Sequence, residues 1–495
     1  MGLTFYLDDP KFKFGMGAIV LGAMLAHQIR KIFRKRKEIN DMRKVDYSGQ
    51  YEDVVIIGGG ISGLATAIDI QDNENIKSIT ILERSDNERN QPITKMSGNV
   101  AKIFPDPRKT IDIFDSQAMD MIQTLLKGKG SDFETKCYKF ENETIIAPLG
   151  HKISLPTTSY ACVRLDLINS LSKLINTKKV KIHFSSEVKS CKYTPAKSKW
   201  LIRFESSGKN CSKTARMVVV AEGPRGDIVR SLGLMNEGVH PPVAYQISNL
   251  AFQSKRDDPS LLLQQSGYSL VTDYSALPVP NTVHALQTTS QTVPLNAILF
   301  PNPTYNMTDI VKALPGYPQP LTPSPQNSPN CPTSDLQSVA LLRLANRIFE
   351  PFLFNLVVVG GAGAFCAGNG SHILFSLRTA KLATDAISTA FAEKNWTHPH
   401  FKRTYGKAIA SEIKKPLSRS FKFTRRLKKE PSLLDAFVFL MNQEQGEKQP
   451  WTELFKKLLN GQVSTFQLKK PQIKCALSSA KKAATREHAT KNKHL

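Results

Sequence analysis

The run Asp53-Val54-Val55-Ile56-Ile57 passes directly into Gly58-Gly59-Gly60-Ile61-Ser62-Gly63, and a carboxylate, Glu83, stands twenty positions after the last of these glycines. β-Branched residues in an unbroken apolar run fit a parallel strand buried on both faces. In such a unit Gly58 permits the tight turn, Gly60 lets a pyrophosphate reach the backbone, and Gly63 lets the next helix pack close to the strand. Residues 64–70 form that helix, with its N-terminal amides turned toward the phosphates. Residues 78–82 form a second strand, closed by Glu83 where a carboxylate accepts ribose hydroxyls, with Arg84 beside it. Strand, helix, spacing and acid together predict a site for the ADP moiety of a dinucleotide, built from Gly58, Gly60, Ile61, Ser62, Gly63, Glu83 and Arg84. A glycine-rich turn without a ligand is the alternative.

A chain of 495 residues has room for two or three domains. Its net charge of +25 concentrates in residues 30–44, in 402–429 and in the tail from Lys469 onward. Basic stretches with interleaved aromatics, which would form a base-stacking platform, are missing, so nucleic acid is not expected as a partner. An anionic membrane surface fits better, because the first basic block follows an apolar segment; a solvated basic surface is the plainer reading of the other two. The seven cysteines, at 137, 162, 191, 211, 331, 366 and 475, show no CxxC spacing, which argues against a disulfide framework and against a zinc site. A reducing compartment is therefore expected for the catalytic region.

Residues 14–26 are uncharged and mostly apolar, and Arg30, Lys31, Arg34, Lys35, Arg36 and Lys37 follow. Thirteen residues are short for a spanning helix, but the stems of Lys11, Lys13 and Arg30 extend the span by snorkelling. A single N-terminal membrane anchor is expected over an amphipathic or docked helix. The positive-inside rule then places the rest of the chain in the cytosol. The charges follow the apolar run, which does not fit a cleaved signal peptide, and Tyr6 does not fit myristoylation. The ending Lys491-Asn492-Lys493-His494-Leu495 resembles a dilysine retrieval signal of the endoplasmic reticulum membrane.

Three later segments belong with the opening unit. Ser159-Tyr160-Ala161-Cys162-Val163-Arg164 reads as a strand running into a helix, with Arg164 at the junction, where a guanidinium either reaches a phosphate or forms an ordinary ion pair. Met217-Val218-Val219-Val220-Ala221-Glu222-Gly223 is a buried strand ending in an acid-glycine turn. Leu356-Val357-Val358-Val359-Gly360-Gly361-Ala362-Gly363 leads through Asn369 and Gly370 to a helix over about 372–390. That turn offers backbone amides to an anion or an electron-rich ring edge.

In this order, "GGGISGL…ERS", "CVRLDLINSL", "VVVAEGPRGDIVRSLG" and "VVVGGAGAFCAGNG" resemble the FAD-binding skeleton of the p-hydroxybenzoate-hydroxylase fold. The stretch "NGSHILFSLRTAKLATDAI", with the basic helical region after it, is similar to the C-terminal part of the geranylgeranyl reductases. The resemblance implies an α/β fold: a Rossmann-like FAD-binding domain of glutathione-reductase type, an inserted mainly β substrate domain, and a helical C-terminal region. It implies FAD as cofactor, held by the residues named above together with Gly360, Gly361, Asn369 and Gly370, and NAD(P)H as a transient electron donor. The expected division is an anchor and basic linker over 1–50, an FAD-binding domain over 51–235 and 345–395, and a substrate domain with a proline-rich loop over 236–344. A helical region over 396–470 and a basic disordered tail over 471–495 complete it. The chain departs from the family pattern at Gly361 and Glu222, where Asp is usual, and at Ser97, near which several reductases carry a functional cysteine.

The function expected is that of a membrane-anchored flavin oxidoreductase reducing double bonds of a lipid or isoprenoid substrate. The alternatives are a monooxygenase on a lipid or quinone, and a scaffold that has lost catalysis. His372 is placed to protonate a substrate carbon, although a histidine at a helix start more often caps or packs; Tyr305 and Cys366 have no stronger claim, and no catalytic residue is assigned.

Overall fold

The computed structural model of the chain describes residues 51–85, 110–126, 133–195, 198–234, 243–249, 269–274, 282–287, 292–299, 337–343, 350–367, 371–444 and 449–491. The apolar segment 14–26, Ser97, Tyr305, the proline-rich stretch, Asn369, Gly370 and the last four residues lie outside the described residues.

Along the chain, β1 (Tyr51–Ile57) leads into α1 (Ile61–Ile70) and β2 (Ile79–Leu82). β3 (Ile111–Asp115), α2 (Ser116–Leu126), β4 (Tyr138–Ile146) and β5 (Lys152–Val163) follow, and β5 turns directly into α3 (Arg164–Ser172). Next come β6 (Val180–His183), β7 (Ser186–Thr194), β8 (Lys199–Ser206), β9 (Lys209–Val220) and the short α4 (Asp227–Ser231). The second half supplies β10 (Val243–Asn249), β11 (Ser269–Asp273), β12 (Thr282–Gln287), β13 (Thr292–Leu299), β14 (Gln337–Arg343), β15 (Phe352–Leu353) and β16 (Leu356–Val358). Helices close the chain: α5 (Ile373–Glu393), α6 (Lys415–Lys429), α7 (Ser432–Asn442), α8 (Pro450–Leu459) and α9 (Pro471–Lys491).

The strands sort into two sheets. In the first, β16, β9, β1, β2 and β6 lie side by side and parallel. β1 is buried on both faces, which is why its sequence is continuously apolar. Val54 and Ile56 face α1 and α5, while Val55 and Ile57 face Trp200 and Ile202 of the antiparallel meander β7-β8-β9. β9 serves both layers: residues 209–215 pair with β8 and residues 214–220 pair with β1. A buried polar clamp fixes the far edge, where Trp200 Nε1 donates to Asn355 Oδ1 at 3.0 Å and Asn355 Nδ2 donates to the carbonyl of Ser198 at 3.1 Å.

The second sheet runs β14-β10-β13-β12-β11-β4-β5-β3, antiparallel except where β11 meets β4. Three of its strands, β3, β4 and β5, come from the range expected to belong wholly to the nucleotide domain. The expected boundary at 235/236 therefore does not separate the sheets. Hydrogen-bond pairing, not chain order, assigns these strands, and β5 crosses directly from the second sheet into α3 beside the first.

The C-terminal region is helical, as expected. His398–Phe401 continues through π-helical turns at Lys402–Gly406 and Ile409–Lys414 into α6. Pro416, which has no N–H and crowds the carbonyl four residues before it, accounts for the wider turn preceding it. The disordered tail expected from 471 is instead largely α9, a correction to the sequence reading. Leu477 and Ala480 of α9 are buried with Leu433, Phe437 and Phe455, and Lys481 pairs with Glu430. Small residues at helical spacing let the helix dock closely; the low apolar content that suggested disorder reflects its polar outer face. Among the described residues no helix is long and apolar enough to cross a membrane.

Glu52 of β1 and Lys213 of β9 form a buried ion pair at 2.8 Å, with side chains 6% and 7% exposed. Burial pushes the Glu52 carboxyl up, but the Lys213 ammonium outweighs it and holds the group below its ordinary value. Lys213→Met should cost about 3–5 kcal/mol, measured by urea unfolding at neutral pH. The folded pKa is depressed, so the pair contributes above the unfolded value of about 4.3 and is lost as pH falls through the folded value. The gap between variant and wild type should accordingly narrow on acidification.

Candidate functional site

The C-terminal edge of the parallel sheet is built by backbone contacts too close for side chains. Gly58 has φ +104°, and a Cβ there would lie 2.4 Å from the carbonyl oxygen of Ala221. A Cβ on Gly63 would lie 2.0 Å from the carbonyl oxygen of Gly58. Both glycines are thus demanded by packing, and neither by itself implies a ligand. Gly60 is different: its φ of −74° suits any residue, and an added Cβ would meet nothing within 4 Å. Open space therefore lies over Gly60 at the start of α1. No side chain caps that helix and no acid occupies its first turn. Its orphan amides and its dipole leave an anion site at the position expected. Ser62 is buried in that first turn, and Ile61 belongs to the core.

Glu83 stands beside this turn at the end of β2, where Gly59 N donates to its Oε2 at 2.5 Å. Its Oε1 accepts from the Ser85 amide at 2.8 Å and the Ser85 hydroxyl at 2.5 Å. With three of about four lone-pair sites filled, the carboxylate can take one more donor without giving up its contacts. Its resident work is to bridge the first two strand ends. Arg84 is exposed, with its charge near Glu187.

The other two turns arrive beside the first. Glu222 accepts from the Ile228 and Val229 amides, both at 3.0 Å, and so caps α4. Burial pushes its carboxyl up, and the two amides oppose this without cancelling it. Gly360 has φ +59°, its N–H donates to Thr379 Oγ1 at 3.0 Å, and a Cβ there would lie 2.4 Å from Ser62 Oγ. The Gly360–Gly363 turn therefore rests on the first turn of α1. A Cβ on Gly361 would lie 3.2 Å from Cδ and N of Pro224, so the neighbouring turn crowds the position where the resembled family carries Asp.

Arg164 opens α3, but its guanidinium is already engaged. It grips the fully buried Asp112 of β3 through Nε at 2.8 Å and Nη2 at 2.6 Å. Nη2 also lies 3.0 Å from His372 Nε2 just before α5. An arginine only donates, so this contact requires Nε2 of His372 to be the unprotonated nitrogen. The same nitrogen is 3.5 Å from Asp112 Oδ1, which would favour a proton on it. Asp112, Arg164 and His372 thus form one charged cluster linking the second sheet to the last glycine segment. Arg164 therefore has an ion-pair partner, and that partner is buried instead of on the surface. Burial pushes the Cys366 thiol up, against the pull of Arg164, which keeps it protonated at neutral pH.

Of the expected residues, Gly58, Gly60, Ile61, Ser62, Gly63, Glu83, Gly360 and Gly361 converge on one sheet edge, while Arg164 belongs to the adjacent cluster. The sequence reading missed Asp112; an acid inside the apolar strand "IDIF" was the available sign of a buried partner.

No protein-family model matches the sequence, and no curated protein matches it. Solved structures do. A geranylgeranyl bacteriochlorophyll reductase-like protein from Thermoplasma acidophilum superposes with a TM-score of 0.62 at 12% identity, covering 85% of this chain and 99% of its own. The p-nitrophenol 4-monooxygenase of Pseudomonas putida gives 0.55 at 15% identity, covering 83% and 99%. A flavoprotein/dehydrogenase of Cytophaga hutchinsonii gives 0.54 at 12% identity, covering 88% and 100%. The chain has the fold of these flavoproteins.

Asp112→Ala should leave Arg164 without its carboxylate in a mostly buried site and cost about 3 kcal/mol in denaturant unfolding. Arg164→Lys should recover little of the paired geometry, because an ammonium cannot reproduce the two-pronged contact.

Proposed function

We propose that the chain is an FAD-dependent oxidoreductase. The observation that carries this reading is the uncapped N-terminus of α1, with open space over Gly60, in a fold shared with flavoproteins. The α1 amides would hold the pyrophosphate, and the remaining acceptor site of Glu83 would take one ribose hydroxyl. The Gly360–Gly363 turn would present its backbone toward the ring end. Bound there, the flavin would supply hydride or electron transfer. The chain itself would bind, orient and exclude water, with Arg164 held in place by Asp112 and His372 held by Arg164.

On that basis the substrate proposed is a lipid-soluble prenyl chain whose double bonds are reduced, with NAD(P)H as the transient donor. The C-terminal sequence similarity and the name of the archaeal relative support it, as does the apolar segment at 14–26. The segment is proposed as a single anchor, with the catalytic body on the cytosolic face of the endoplasmic reticulum membrane. Hydroxylation of a lipid or quinone is the second reading, favoured by the likeness to a monooxygenase. A scaffold without catalysis is the third, favoured by Pro224 crowding Gly361.

The absorption spectrum of the purified full chain tests the cofactor, and Gly60 tests its placement. Gly60→Ala fits the observed backbone, so it should cost no more than about 1 kcal/mol of capping preference while abolishing flavin content. Gly58→Ala should instead unfold the site at its strained φ. Retention of full flavin by Gly60→Ala would remove the phosphate from this position. Anaerobic saturation of a geranylgeranyl lipid would select the reductase, and oxygen consumption with a hydroxylated product the monooxygenase.

A further inference from the structure

We propose that the face formed by α6 and the Thr465–Lys469 turn docks on an anionic lipid surface, with Phe466 inserted at headgroup depth. This surface stands apart from the flavin site and does not depend on it. Residues 413–429 contain eight cations and no acid, and residues 461–486 contain six cations and no acid. The adjoining Glu430 pairs with only Arg426 and Lys481 of these. Such acid-free segments lack the alternating charges of an ordinary solvated helix face. Lys415, Arg419 and Lys422 recur at helical spacing along one side of α6, opposite the buried Leu417, Ser420 and Thr424.

The turn bearing Phe466 lies against the same side. Gly461 sits over the carbonyl of Pro416, so closely that no Cβ would fit, and Arg419 Nη1 donates to the carbonyl of Gln462 at 3.0 Å. Phe466 is 69% exposed, the most exposed large apolar side chain among the described residues. Tyr51 and Phe354, the other exposed aromatics, are covered by Lys199 and by stacking on Tyr193. Around Phe466 the neighbours are Lys469, 5.7 Å from its ring centroid, and the exposed Lys470.

A lone exposed phenylalanine means little. Rimmed by cations, in a segment without acids, it has the chemistry of an interfacial contact: the ammonium groups meet lipid phosphates while the ring enters the acyl boundary. A nucleic acid would satisfy the charges but offers one isolated ring no row of stacking partners.

The test uses the full chain carrying Phe466→Trp, with vesicles of phosphatidylcholine, with or without phosphatidylserine, that contain nitroxide-labelled lipid. The wild type, with Trp200, Trp396 and Trp451, supplies the background. The added tryptophan should be quenched on phosphatidylserine vesicles, weakly on phosphatidylcholine alone, and less at high salt. Lys415→Gln, Lys422→Gln and Lys470→Gln should each weaken this docking roughly 5-fold with the melting temperature unchanged. If the chain binds vesicles while the introduced tryptophan stays unquenched, the proposal is overturned, since other residues would then make the contact. Indifference to the three charge variants would overturn it too, as would a response of the introduced tryptophan to single-stranded RNA and none to vesicles. Flavin content, read on the same samples, reports separately on the cofactor site.

Discussion

Backbone packed against backbone at the C-terminal edge of the parallel sheet is the constraint on which the rest depends. Gly58 must pass under the carbonyl of Ala221, Gly63 under that of Gly58, and Gly360 against Ser62. At Gly58 and Gly63 the contact is with backbone and closer than any Cβ allows; at Gly360 it is with the Ser62 side chain, and the positive φ there favours glycine as well. The meeting of these turns brings the N-termini of α1 and α5 to the same edge. Gly60 takes no part in this packing, which separates the glycine kept open from the glycines required for closure.

Charge is treated differently inside and outside the fold. Within it, two buried carboxylates are neutralised by cations: Glu52 by Lys213 across β1 and β9, and Asp112 by Arg164 between the second sheet and α3. A charge removed from water remains ionised only if a partner replaces the solvent, so each pair fixes a register that apolar packing alone would leave less specific. Glu222 is handled by backbone amides instead. Part of the surplus of positive charge collects on the outer faces of the C-terminal helices, away from the core.

The proposed chemistry depends on a division of labour between these regions. The glycine edge offers the features a dinucleotide needs, and the Asp112–Arg164–His372 cluster gives the neighbouring region a fixed orientation. Gly361 shows how local packing limits such a site. A Cβ at Gly361 would lie 3.2 Å from Pro224, so a side chain there would require Pro224 to give by a few tenths of an ångström.

The sequence by itself determined the parallel core, the glycine turns and the helix start after Gly60, because these depend on local patterns: β-branched runs, glycine spacing and apolar periodicity. It also showed the excess of basic charge. It did not show that β3, β4 and β5 join the second sheet, that α9 docks on α7, or that Glu83 is already bound to Gly59 and Ser85. Nor did it show that Arg164 is paired with Asp112, fifty-two residues away. Those outcomes were decided by the tertiary structure, because a strand's neighbours and a charge's partner are chosen among groups far apart in the chain. No spacing within one segment encodes which of them will be nearest once the solvent is excluded.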